Sequence, residues 1–246
     1  MDLVYSIIVP AYNEEHWLPD CLDSIKQAMA EQSCAGEFIV CDNNSSDNTA
    51  MIARLAGARV VFEPHNQISR ARNSGAGTAQ GQYLIFVDAD TRISAELLQA
   101  ALHGMQSGQC VGGGAIVSLD GQMSVAERFG LWCWNQLSIH LRLAAGCFVF
   151  CRRDDFEQLG GFSEAVYASE ELWFSQRLRR HGKARKQPFC ILTEYSPLSS
   201  GRKGQWYSPM RQLLLLVSLL LFPFLVRYRR FCGFWYQRPG DKPGQK

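Results

Sequence analysis

Residues 82–90 read QYLIFVDAD, an apolar run from Gln82 to Val87 followed by two carboxylates, Asp88 and Asp90. A run this short, rich in aromatic and branched side chains, has the pattern of a strand buried on both faces. Open parallel sheets bind ligands at the carboxyl ends of their strands, so an acidic pair at such a tip is a candidate site. Hard carboxylate oxygens suit Mg²⁺ or Mn²⁺, ions that also bridge diphosphate oxygens. Standing alone, the same pair would do no more than cap the next helix.

The surrounding chain repeats the pattern. Ser6–Val9, Glu37–Cys41 and Ala58–Phe62 read as strands, and Trp17–Ala30, Asn48–Leu55 and Ser69–Ala79 as the helices between them. Trp17, Leu18, Cys21, Leu22, Ile25 and Met29 recur at helical spacing, with Pro19 fitting the first turn, and Gly57 ends the second helix. Downstream, Ser94 caps a helix to Gln106. Cys110–Leu119 reads as one strand with a close approach or bulge at its glycines, and Met123–Leu143 as a long helix, aromatic through Phe129, Trp132 and Trp134. Cys147–Cys151 is a further strand, Asp154–Leu159 a short helix before Gly160-Gly161-Phe162, and Ser169–His181 an amphipathic helix ended by Gly182. This alternation predicts an α/β fold, a mostly parallel sheet with helices on both faces.

Composition narrows the class. The chain has 246 residues, 47% hydrophobic and 20% charged, which excludes disordered, collagenous and disulfide-framework proteins. The net charge of +2 hides a split: residues 177–246 carry 15 Lys/Arg against 2 Asp/Glu, and residues 1–176 carry 10 against 21. The acidic part suits a bound cation and the basic end an anionic partner. No recognition helix accompanies the basic residues, so nucleic acid is not an expected partner. Nine cysteines cannot all pair, no C-x-x-C knuckle occurs, and MDLVYSIIVP lacks a basic leader. Reduced thiols and a cytoplasmic location are therefore expected, with Cys41 and Cys151 as small core residues.

Gln212–Val226 (QLLLLVSLLLFPFLV) is 15 residues long between Arg211 and Arg227. As a helix it covers ~22 Å, short of the ~30 Å bilayer core, and Pro223 interrupts it. With the aromatic run Phe231–Tyr236 and the cluster Arg227, Arg229 and Arg230, it reads as a membrane-associated segment lying in the interface. A buried core helix is the alternative.

Four polar clusters follow the first strands: Pro10 to Glu15, Asp42 to Asp47, Arg70 to Asn73, and Asp88 to Asp90. Asp42 can accept hydrogen bonds from a base or a ribose, or cap the next helix; Asp47 suits the cap better. Glu14 suits a ligand site or the positive end of the following helix. Arg72 can pair with a phosphate or contact a base.

In order, YSIIVPAYNEE, EFIVCDNNSSDNTA, ARNSGAGTAQGQYLIFVDADT, FEQLGGFSE and EELWFSQRLRRHG resemble the motifs of the family 2 glycosyltransferases. The resemblance covers about Tyr5 to Gly182. It implies a GT-A fold, a Rossmann-like nucleotide-binding half (residues 1–92) joined to an acceptor half (93–208), with 209–246 as the membrane-associated tail. It implies inverting transfer of a sugar from a nucleotide-diphosphate donor with Mg²⁺ or Mn²⁺. Carried over by position, Pro10, Tyr12, Glu14, Asp42 and Arg72 surround the nucleobase. Asp88 lies against the ribose and diphosphate, and Asp90 binds the metal. Glu170 and Glu171 match the family's Glu-Asp pair, whose second member is the general base, here Glu171. The chain departs from the family at Asn43-Asn44, where Asp-Gly is common, and at Glu171.

The basic, apolar C-terminal part suits a lipid-linked or glycan acceptor at the cytoplasmic face of a membrane. Arg202-Lys203 would meet a phosphate or lie in a solvated loop. Truncation after Pro209 is expected to raise solubility and leave donor binding intact. Two rival readings are a nucleotidyltransferase, disfavoured by the absence of a Gly-rich loop after the first strand, and a catalytically inactive nucleotide-binding scaffold.

Overall fold

The computed structural model describes residues 3–202 and 223–236. Strands β1 (Tyr5–Ala11), β2 (Gly36–Asp42), β3 (Arg59–Phe62) and β4 (Tyr83–Val87) run parallel, in the order β3-β2-β1-β4. Beyond β4 the sheet continues through β8 (Phe148–Arg152), β6 (Gly112–Ala115) and β9 (Phe189–Leu192), with β8 antiparallel to both neighbours. A small sheet joins β5 (Thr91–Arg92), β10 (Leu198–Ser199) and β7 (Ser118–Leu119). Among the described residues the α-helices are α1 (Leu18–Ala30), α2 (Thr49–Leu55), α3 (Ile68–Gly77), α4 (Ala95–Gln106), α5 (Val125–Leu141), α6 (Arg153–Gln158), α7 (Glu170–Ala184) and the single turn α8 (Gly233–Tyr236).

Alternating side chains fill both faces. Ile7, Val9, Ile85 and Val87 pack with Leu18, Leu22 and Ile25 of α1 and Leu97, Leu98 and Leu102 of α4. Ile8, Leu84 and Phe86 face the other way, against Phe156, Phe162, Phe174 and Leu178. Phe86 meets Phe162 edge-on at 4.9 Å and Phe156 at 5.3 Å. Such strands leave no solvated face, which is why they read as continuous apolar runs. Cys41 and Cys151 are fully buried among them. Ser94 caps α4 by accepting the Leu97 N–H.

Two expectations need correction. Cys110–Leu119 is not one strand: β6 stays in the main sheet and β7 turns into the small one. At Gly113 an added Cβ would stand 2.0 Å from the Cys190 carbonyl oxygen, so β6 and β9 approach as only glycine permits. Gly182 does not end α7, which continues to Ala184; a Cβ there would meet the Gln187 carbonyl oxygen at 2.3 Å. The two-residue strands β5 and β10 carry no periodic signal. Their antiparallel pairing, Leu198 with Arg92 and Ser199 with Thr91, carries Ser200–Arg202 back to the tip of β4.

Most of Gln212–Val226 lies outside the described residues. No described helix is long and apolar enough to cross a membrane. Residues 223–236 pack on the domain. Val226, Cys232 and Tyr236 pack with Val166 and Ala168 in a small apolar cluster that Ile68 and Trp235 border.

Candidate active site

The tips of β1, β2 and β4 meet as the strand-end rule requires. Asn13, in a left-handed conformation at φ 51°, accepts the Ser46 N–H at 2.8 Å and donates its own N–H to Ser45 Oγ at 3.0 Å. The Glu14 N–H donates to Thr49 Oγ1 at 2.7 Å, and the Glu15 N–H to Asp47 Oδ2 at 3.1 Å. Asp47 also accepts the Thr49 N–H at 3.0 Å, the capping role its position suggests. Asn44 takes φ 66°, a left-handed geometry asparagine tolerates and glycine often supplies. The Asn43-Asn44 departure therefore keeps a turn, closed by the Ser45 N–H donating to Asp42 Oδ1 at 3.1 Å.

A cavity of about 90 Å³ lies at this junction. Pro10, Tyr12, Glu14, Asp88 and Asp90 line it, joined by Asn43, Ile68, Arg202, Trp235 and others. Five of the nine sequence-derived site residues thus share one wall. Asp42 stands just behind, buried at 6% exposure. The volume is far below the roughly 300–1,000 Å³ of a site that encloses a drug-sized ligand. Arg202 and the aromatic side chains of α8 supply one side of the enclosure. Trp235 and Tyr236, part of the aromatic run expected at a membrane interface, line this cavity.

Arg72 corrects a further expectation. It is not at the cavity but beneath it, 2% exposed. Nη1 donates to Glu170 Oε1 at 2.5 Å, and Nη2 to Asp88 Oδ1 and the Gly146 carbonyl, both at 2.8 Å. Its guanidinium lies 5.2 Å from the Phe162 ring centre. Burial opposes its charge, but Asp88, Glu170 and Glu171 outweigh that and raise its pKa. One residue on, Asn73 clasps Phe162: Nδ2 donates to its carbonyl and Oδ1 accepts its N–H, both at 2.9 Å. Gly161, at φ +67°, makes room for that grip. The Arg-Asn and Gly-Gly-Phe motifs are two halves of one joint.

Arg202 is neither a solvated loop residue nor free for phosphate. Its two terminal nitrogens donate to Glu14 at 2.7 and 2.6 Å, and Nη2 lies 2.9 Å from Asp90 Oδ2. It stacks over Trp17 at 5.3 Å. Burial opposes its charge, while the Glu14 hydrogen bonds and Asp90 raise its pKa. Sequence reasoning missed this placement because it depends on the β5–β10 pairing.

Glu170 and Glu171 open α7 and face the Arg72 side. Glu170 is buried and committed to Arg72. The Glu171 side chain passes close to Gly146, where an added Cβ would lie 3.6 Å from its carboxyl carbon. Burial, then the Glu170 charge, push the Glu171 carboxyl up to about 8, against the pull of Arg72. A carboxyl with that pKa is mostly protonated at neutral pH, and its proton-accepting ionised fraction grows as pH rises through about 8. The pair therefore divides: one carboxylate neutralised by an arginine, one whose pKa burial raises.

Among the described residues no three His, Cys, Asp or Glu side chains gather into a metal cage. Asp90 and Glu14 nevertheless hold one cationic group already, the Arg202 guanidinium. That oxygen donor set fits Mg²⁺ or Mn²⁺ bound through one or two carboxylates, with substrate phosphates and water completing the shell.

Residues 6–160 match the family model described as Glycosyl transferase family 2. The chain is 27% identical over 183 residues to glycosyltransferase AglE of Haloferax volcanii, covering 70% of this chain and 60% of that one. It is 34% identical over 94 residues to the UDP-Glc:alpha-D-GlcNAc-diphosphoundecaprenol beta-1,3-glucosyltransferase WfgD of Escherichia coli, 36% of each chain. Among solved structures it resembles the mannosyltransferase PcManGT of Pyrobaculum calidifontis in complex with GDP-Man and Mn²⁺, at TM-score 0.66 and 18% identity. That match covers 92% of this chain and 64% of that one. The structural likeness identifies the fold as GT-A.

Proposed function

The chain belongs to glycosyltransferase family 2, and from that membership we propose that it transfers a sugar from a nucleotide-diphosphate donor to an acceptor hydroxyl or phosphate, with inversion. The observation that carries this reading is the convergence of the β1, β2 and β4 tips on one acidic cavity backed by a carboxyl poised near pH 8. Pro10, Tyr12 and Asn43 face the nucleobase, with Asp42 bracing the turn behind them. Asp88 meets the ribose and diphosphate, and Asp90 holds the metal. When bound, Mg²⁺ or Mn²⁺ would offset charge on the departing diphosphate. Arg202, at the cavity wall, is paired with Glu14 and Asp90 and would have to give up Asp90 to the metal. Arg72 keeps Asp88 and Glu170 in place from below. Glu171 takes the acceptor proton as its oxygen attacks the anomeric carbon from the face opposite the leaving group.

The acceptor is read as lipid-linked or glycan, and the protein as working at the cytoplasmic face of a membrane. Support comes from the apolar, basic C-terminal sequence and from WfgD, whose name specifies a diphosphoundecaprenol-linked acceptor.

A thermal-shift panel of UDP, GDP and dTDP, with and without Mn²⁺, tests the donor site. At a hundredfold excess over Kd, the matching nucleotide stabilises by about 2.7 kcal/mol, a rise of roughly 5–11 °C for a domain of this size. Asp90→Asn should lose the Mn²⁺-dependent part of that rise together with turnover. If no nucleoside diphosphate shifts the melting point, the reading is wrong.

A further inference from the structure

Helix α5 is 17 residues long and buries only Ser138. Its residues at successive four-residue steps are Val125, Phe129, Cys133, Leu137 and Leu141, an unbroken apolar ridge. Val125 is 75% exposed, Phe129 64%, and Leu137 and Leu141 46% each; Cys133 is exposed too. Trp132, 58% exposed, stacks on Phe129 at 5.9 Å between ring centres. Scattered exposed apolar residues need no explanation, but a contiguous ridge about 25 Å long does.

The ridge ends at a basic groove. Arg142 follows Leu141 directly, and Arg179 of α7 donates to the Leu141 carbonyl at 2.5 Å. Arg142, Arg179, Arg180, Lys183 and Lys186 line a groove of about 570 Å³. Among the described residues no ion pair joins these five cations to a carboxylate, although the next cation, Arg185, pairs with buried Asp155. Apolar ridge and unpaired cations on one helix and its anchor suit a surface that is apolar below and anionic above.

The placement is consistent. Phe189, in the groove wall, begins β9, which runs parallel to β6 and hence to β4. The groove therefore lies at the end of the sheet opposite the Asp88–Asp90 tip. The other end of α5 follows β7, whose partner β10 leads to Arg202 at the cavity. The helix spans the domain from the active-site side to the groove.

We propose that the α5 ridge and the groove formed by Arg142, Arg179, Arg180, Lys183 and Lys186 together dock the protein on an anionic bilayer surface, separately from Gln212–Val226. The proposal deepens the reading of a membrane-borne acceptor and rests on it.

The experiment is co-sedimentation of the full chain with phosphatidylcholine vesicles, with and without phosphatidylglycerol. Wild type should favour the anionic vesicles and lose that preference in high salt. A basic residue near such a surface contributes about 1 kcal/mol. Removing three, in Arg180→Gln/Lys183→Gln/Lys186→Gln, should therefore weaken partition about 100-fold. Phe129→Ser/Trp132→Ser should weaken binding to both vesicle types. Both variants should keep the nucleotide-dependent thermal shift of wild type, which certifies folding and leaves the transferase reading standing on its own test. If both bind like wild type, the C-terminal segment alone makes the contact and the proposal fails while membrane attachment survives. If wild type binds neither vesicle, membrane attachment fails as well. A concentration-dependent dimer abolished by Phe129→Ser/Trp132→Ser would assign the ridge to a second copy and overturn the proposal.

Discussion

Two arginines divide the acidic tip of β4 between them. Arg72 joins Asp88 to Glu170 below the cavity, and Arg202 joins Asp90 to Glu14 at its wall. The chemistry is the same and the setting is not. Arg72 belongs to α3, inside the core, with Phe162 against its guanidinium and Asn73 clasping that ring's backbone. Arg202 stands three residues past a two-residue strand and touches the space a donor would enter. The first pairing is a joint of the fold, and the second a contact that a substrate's charges can compete for.

The largest effect should come from Arg72→Met. Removing one partner of a buried pair leaves uncompensated charge, here on Glu170, and costs about 3–5 kcal/mol; Asp88, a third exposed, adds little. Chemical denaturation would measure it, and turnover should vanish with the site's geometry. A loss below about 1 kcal/mol would show that Arg72 is not the joint described.

Glu171→Gln comes next and separates chemistry from stability. Losing a general base lowers turnover about 10²- to 10⁴-fold, with donor affinity kept. Wild-type turnover should rise with pH through about 8, because only the ionised carboxylate accepts a proton. Stability should run the other way. A carboxyl raised in the folded state is stabilising while protonated, so that contribution fades as pH climbs from the ordinary carboxylate range through about 8. A flat pH–rate profile in this range would move the base elsewhere.

The contrast between the two arginines also marks how far the sequence could be read. Strands β1 to β4 and helices α1 to α4 were legible because apolar runs and helical spacing report burial locally. Pro10, Tyr12, Glu14, Asp88 and Asp90 were legible because strand tips converge in any such sheet. The position of Arg72 was legible, but not its direction: an arginine's sequence neighbours do not say that Glu170, 98 residues away, will take its charge. Arg202 was misread for the reason that hides β10, since two residues of strand carry no period. The aromatic residues of α8 carried a real signal, amphipathic aromatics beside arginines, which suits a pocket wall as well as a bilayer interface. Truncation after Pro209 is accordingly now expected to change donor binding, because it removes Trp235 and Tyr236 from the cavity.

Arg202→Met sharpens the contrast at smaller scale. Charged hydrogen bonds are lost, about 1.5–3 kcal/mol, at Glu14 and Asp90, two carboxylates that line the cavity. Freed of their internal cation, those carboxylates should bind Mn²⁺ about tenfold more tightly without donor, equivalent to 1.4 kcal/mol. Calorimetric titration of the metal alone would read this. Arg72→Met should show no such gain, and equal gains in both variants would erase the distinction.

The smallest effect belongs to Tyr236→Phe. The Ile68 N–H opens α3 and donates to the Tyr236 hydroxyl at 3.2 Å. The first N–H groups of a helix lack internal partners, so this hydroxyl acts as a remote cap for the helix that carries Arg72. Its removal should cost about 1 kcal/mol, readable by chemical denaturation. It should also loosen α8, whose residues line the wall of a 90 Å³ cavity that must widen to admit a nucleotide-sugar. The variant should therefore be slightly less stable yet take up donor faster, with kcat unchanged. A stability loss without faster uptake would make Tyr236 a strut of the core like Arg72 rather than part of the movable wall that Arg202 completes.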